Sequence, residues 1–156
     1  MFYFLLIIAF SFTYSIHIYG QEKFNISGGF GILDGLNIGA RYQVKQDTLQ
    51  LGISIGTYDV EKTISGDVFY HFGGYSKLST RRPLYLKCGF TNVFEFDTEE
   101  SYWVFLFNLR LGRDINLSKK AGLNLEAGIC YSPFALIMMD EYRIIPSFGL
   151  YFFYRI

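Results

Sequence analysis

The groups in this chain that could do chemistry are few. They are His17 and His71, the thiols Cys88 and Cys130, an acidic run in "FEFDTEES" (94–101), and single ions set among small residues. Nucleophilic catalysis needs a hydroxyl or thiol beside a base that a third group orients. His17 falls in the N-terminal leader, which leaves His71, in "FYHFG", with no Ser/His/Asp set that can be assembled around it. The carboxylates of "FEFDTEES" read more simply as a solvated loop than as an acid and base pair. Cys88 in "LYLKCGF" and Cys130 in "LEAGICY" have no His/Cys cluster near them of the kind that holds a metal. No catalytic residue, cofactor or metal is expected, and the protein is not expected to be an enzyme. The groups left are Arg41, Asp67, Lys87, Arg110 and Glu126, isolated charges in a row dominated by Gly, Ser, Asn and Gln. An ion in a confined space is expensive unless paired, so these five are expected to form a connected, structural polar cluster.

What must position them is a series of strands. From Phe24 onward apolar residues recur at every second position, the signal of a half-buried strand. "FNISGGFGI" sets Phe24, Ile26, Phe30 and Ile32 against Asn25, Ser27, Gly29 and Gly31, and Asp34-Gly35 follows as a tight-hairpin dipeptide. "LNIGARYQV", "LQLGISIGT", "ISGDVFYHFG", "LYLKCGF", "YWVFLFNLRLG", "GLNLEAGICY" and "PSFGLYFFYRI" repeat the pattern. This predicts eight strands of about nine to eleven residues, the length that crosses a bilayer at a tilt. An even count lets the first and last strands of an antiparallel meander pair and close.

Composition agrees. Charged residues make up only 18% of the 156, against 51% apolar; soluble domains average roughly 25% charged, so little here is suited to solvating a surface. Outside the first twenty residues no uncharged apolar run reaches the length of a membrane-spanning helix. The formal net charge of zero gives no support for a nucleic-acid partner. Residues 1–20, apolar from Phe2 to about Phe12 and small and polar near Gly20, look like a signal peptide cleaved after Gly20, with a retained anchor as the alternative. Residues 21–156 are then one barrel domain.

Which row faces outward follows from bulk. A water-facing row is usually rich in Lys and Glu, whereas the polar row here is small and mostly uncharged, which suits a narrow lumen where eight strands converge. The apolar row is therefore expected to face lipid. Cys88 lies on the apolar row and Cys130 on the polar row, so their side chains point to opposite faces and two free thiols are expected. The connections differ by charge. Lys45, Lys77, Arg81, Arg82, Lys119 and Lys120 fall in those at the end holding the chain termini. Asp34, Asp59, Glu61, Glu95, Asp97, Glu99, Glu100, Asp140 and Glu141 fall at the other.

Taken together, "FNISGGFGI", "NIGARYQV", "QLGISIGTY", "SGDVFYHFG", "NLRLGRD" and "PSFGLYFFYRI" resemble the small outer-membrane β-barrel proteins of Gram-negative bacteria, most nearly the porin-like barrels of Bacteroidetes-type organisms. The resemblance covers about residues 21–156 and rests on the pattern and the C-terminus, not on one motif. It implies an eight-stranded antiparallel up-and-down transmembrane barrel, located in the outer membrane and inserted there by the barrel-assembly machinery. In such proteins the last strand carries the recognition signal. Phe152 and Tyr154 match it, and Ile156 stands where Phe or Trp is usual. The expected function is a non-enzymatic, monomeric barrel with a filled lumen and a structural or surface-interaction role, in contact with outer-membrane lipid. The apolar loop 132–145, "SPFALIMMDEYRII", is a candidate contact for an envelope or extracellular partner. The alternatives are an outer-membrane enzyme acting on lipid, and a narrow pore or solute-binding barrel.

Overall fold

In the computed structural model, residues 23–45, 47–58, 61–95, 102–133 and 144–156 are described. The leader, the acidic residues Asp59, Asp97, Glu99, Glu100, Asp140 and Glu141, and positions 134–143 of the apolar loop lie outside them. Eight strands follow in order: β1 (Phe24–Gly31), β2 (Gly35–Lys45), β3 (Leu49–Tyr58), β4 (Glu61–Gly73), β5 (Leu84–Glu95), β6 (Tyr102–Asn116), β7 (Ala121–Tyr131) and β8 (Ile144–Arg155). Each pairs antiparallel with its sequence neighbours, and β1 closes on β8 from Asn25 opposite Arg155 to Gly31 opposite Gly149. The fold is a closed eight-stranded up-and-down barrel. Closure satisfies the backbone of both terminal strands and leaves no edge exposed. A ten-residue strand is about 33 Å long and, tilted by about 40°, rises about 25 Å, the height of the apolar band of a membrane barrel.

The strands are less uniform than the periodicity predicts, running from 8 residues in β1 to 15 in β6. Glu61, expected in a connection, is strand: β4 starts there, and Lys62 and Thr63 pair with Thr57 and Gly56 of β3. Thr63 is held there because its hydroxyl donates to the Asp34 carbonyl at 3.2 Å. Gly35 has φ 61°, a left-handed conformation that would strain a side chain, and it follows the turn carrying Asp34.

The sidedness matches the expectation. Ile38, Leu51, Ile53, Phe107, Leu111, Phe148 and Leu150 point outward and are exposed, Ile53 to 70%. Asn25, Gln50, His71, Arg110 and Asn124 point into the lumen and are fully covered. The outward surface is banded. Ile, Leu, Val and Phe fill its middle, with Tyr42, Tyr70 and Tyr154 toward the end holding the termini and Trp103 and Tyr131 toward the other. Amphipathic rings favour these levels in a membrane barrel. Cys88 is exposed, Cys130 is buried, and both are free thiols.

The interior is not wholly polar. Phe69, Tyr85, Tyr151 and Phe153 also point inward. Space for two of these rings comes from glycine: a β-carbon at Gly112 would collide with the Tyr85 ring, and one at Gly149 with the Tyr151 ring.

An outward position tests this arrangement. Substituting a fully exposed residue of a water-soluble domain usually changes stability by less than about 0.5 kcal/mol. Ile53→Arg, at the middle of β3, is expected to destabilise the protein refolded into vesicles by about 2–4 kcal/mol, read from urea unfolding.

Candidate functional site

The lumen is built from facing charges that lie far apart in sequence. Glu126 on β7 is the hub. Its Oε2 accepts from Lys87 Nζ at 3.3 Å and lies 3.5 Å from Arg110 Nη1. Its Oε1 accepts from the Tyr85 hydroxyl at 2.8 Å and from Arg41 Nη2 at 3.4 Å. Lys87 also pairs with Asp67 Oδ2 at 3.2 Å. The structure therefore brings Arg41, Asp67, Lys87, Arg110 and Glu126 into one connected set.

Register explains how they meet. Asp67 lies between Gly52 and Gly89 on the adjacent strands, and Glu126 between Gly112 and Gly149. Neighbours without side chains leave each ion free to reach across the lumen, so that β2 and β7 are joined through Arg41 and Glu126. Arg41 is further held with its guanidinium 4.2 Å from the Phe69 ring centre, and Phe69 packs edge-on against Tyr85.

A sixth member was not anticipated. Asp34, expected among the charges of the outer connections, is buried. Its Oδ2 accepts from Arg110 Nη1 at 2.5 Å and from the Tyr151 hydroxyl at 2.7 Å, and Arg110 also donates to Tyr151 at 3.0 Å. The five residues named from the sequence hold three cations and two carboxylates; Asp34 makes it three of each, with no net charge. Burial pushes the Asp34 carboxyl toward neutrality, but Lys87 and Arg110 outweigh it and hold its pKa below the usual carboxylate value.

A second group lies nearer the end with the termini. Arg81, expected in an exposed basic connection, is buried and donates through Nε and Nη2 to Asp114 Oδ2 at 3.1 and 2.8 Å. Asn124 donates to the other oxygen of Asp114 at 2.5 Å. His71 sits beside Tyr85, its Nδ1 2.7 Å from the Arg82 carbonyl and its Nε2 3.1 Å from Gln50 Oε1. Strand parity could have found Asp114, Tyr85 and Tyr151, which share rows with Arg110, Lys87 and Arg155. It could not have found Asp34 or Arg81, which lie in turns. Phe152, Tyr154 and Ile156 take no part in either group. They are exposed along the outside of β8, and the Ile156 amide donates to the Phe24 carbonyl at 2.9 Å.

Space between these groups is scarce. The void bordered by Asp34, Arg41, Asp67, Lys87 and Tyr151 has a volume of about 20 Å³, room for about one water molecule. This is a closed antiparallel barrel, apolar outside and filled by a charge-balanced network. No family model matches the chain, and no curated protein matches it. Its fold is similar to the crystal structure of the N-terminal β-barrel domain of Pseudomonas aeruginosa OprF, with a TM-score of 0.58 and 16% identity, covering 87% of this chain and all of that one. At this identity the likeness is one of fold.

Removing the hub takes one carboxylate from each of three buried cations and leaves Arg41 without its ion pair. Glu126→Gln is expected to destabilise the refolded barrel by about 3–5 kcal/mol, read from urea unfolding. Adding Lys87→Met should cost less than the sum of the single changes, because both remove the same Lys87–Glu126 pair and the double change restores the charge balance of the set.

Proposed function

We propose that this protein is an integral outer-membrane barrel of a Gram-negative bacterium, non-enzymatic and monomeric, with a structural or surface-interaction role in the cell envelope. The observation that carries the reading is the pairing of an apolar, ring-banded exterior with an interior whose charges neutralise one another. Water would solvate neither arrangement efficiently, whereas lipid outside and mutual pairing inside satisfy both. The expected kinship with porin-like Bacteroidetes-type barrels has the strand pattern as its support.

On this reading residues 1–20 direct export, and the barrel-assembly machinery receives the chain through β8. Strand addition is the natural mode of such contact: β8 presents Phe152, Tyr154 and Ile156 outward and its backbone ends by pairing with β1. The connection 132–145, which joins β7 to β8, is the proposed contact for an envelope or extracellular partner. The lumenal network acts as a plug and a brace, tying together walls that share no backbone hydrogen bonds. Catalysis on lipid has no observation in its favour: the contacts of His71 are an amide oxygen, a carbonyl and an aromatic ring. Conduction has none either, given the 20 Å³ void.

The test is made on protein refolded in detergent. An intact barrel should migrate differently on a gel before and after boiling, and should leave a planar bilayer electrically silent. Recovery of the mature chain as a soluble monomer without detergent would sink the proposal, and steady single-channel conductance would replace the plug with a pore.

A further inference from the structure

The outward wall is not evenly greasy. On β7, Ala127 points outward between Leu111 of β6 and Phe148 of β8, its cross-strand partners. A small residue between larger ones leaves a groove of about 530 Å³, walled by Phe30, Leu111, Leu125, Phe148 and Leu150. That volume lies within the roughly 300–1,000 Å³ range of small-molecule sites.

One end of the groove is cationic. Arg113 lines it and points outward from β6, in the same row as Leu111 and Ile115. Its cross-strand partners, Leu84 and Leu125, are both apolar. Among the described residues Arg113 has neither an ion pair nor a hydrogen bond. It is also the one charged side chain on the outward rows of the described strands that is not within two residues of a strand end. Lys62, by contrast, is second in β4 and bonded to Thr57 Oγ1 at 3.0 Å. Lys119 and Lys120 are exposed in the connection between β6 and β7, below Arg113 at the end holding the termini.

An unpaired guanidinium on a lipid-facing wall calls for an anion, and the apolar channel leading away from it calls for hydrocarbon. We infer that this groove is a specific phospholipid site, in which Arg113 binds the headgroup phosphate and one acyl chain lies over Ala127. The headgroup sits toward the end with the termini and the chain runs toward the middle of the barrel, the orientation of a lipid in the leaflet on that side. Guanidinium and phosphate pair through two parallel charge-assisted hydrogen bonds. The inference rests on the reading of the protein as a membrane barrel and adds a defined lipid position to it.

The test uses the full mature chain refolded in detergent, with each variant first checked for a heat-dependent shift on gels. Phosphatidylglycerol or lipid A is then titrated in, and bound lipid is counted by native mass spectrometry. The expected result is one phosphatidylglycerol retained under conditions that strip all others, with lipid A not retained in its place. Ala127→Phe, which fills the groove, and Arg113→Gln, which removes the charge, should each weaken retention at least about tenfold, equivalent to about 1.4 kcal/mol. Arg113→Lys should recover part of it. Both variants lie on the outer surface and leave the lumen intact. Retention equal to wild type in both variants overturns the site while leaving the barrel reading in place, as does preferential retention of lipid A. A wild-type chain with no heat-dependent shift overturns both.

Discussion

A carboxylate shared by three cations holds this barrel together. Glu126 on β7 meets Arg110 on the adjacent strand β6, Lys87 one strand further on β5, and Arg41 across the lumen on β2. Backbone hydrogen bonds join each strand only to its two neighbours. The network adds ties across the diameter, and it can do so only because its charges cancel. A buried ion that loses its partner costs several kcal/mol, so the interior has to be neutral as a set. Asp34 completes that set by folding from the first turn onto Arg110 and Tyr151.

Shape imposes the second condition. An eight-stranded barrel is just wide enough for side chains to fill, and here long ions and aromatic rings share that width with glycine. Phe69 and Tyr85 pack together and against Arg41 and His71, so rings and charges alternate through the interior. The Arg81–Asp114 pair repeats the same solution closer to the termini, with Asn124 and Gln43 as further partners. The void beside Asp34, Arg41 and Lys87 is the size of one water molecule.

The exterior obeys the opposite rule. It is continuous, apolar and edged by amphipathic rings, and β8 completes it by pairing with β1. Against that background Ala127 and Arg113 mark the place proposed to hold a lipid.

Much of this was legible in the chain. Alternation fixes which side chains share a face, because successive residues on a strand point to opposite sides. From it came the number of strands, their antiparallel closure, the opposite settings of Cys88 and Cys130, and the inward row of Arg41, Asp67, Lys87, Arg110 and Glu126. The presence of Tyr85, Asp114 and Tyr151 in the interior follows from the same parity. Their contacts do not, because parity assigns a face but neither a height along the barrel nor a position around it. Those depend on the register between strands, which sets Lys87 beside Arg110 and leaves Glu126 between two glycines. Turn residues have no parity at all. Asp34 and Arg81 read as ordinary surface charges, and only the closed structure, by placing Arg110 and Asp114 within their reach, draws them inside.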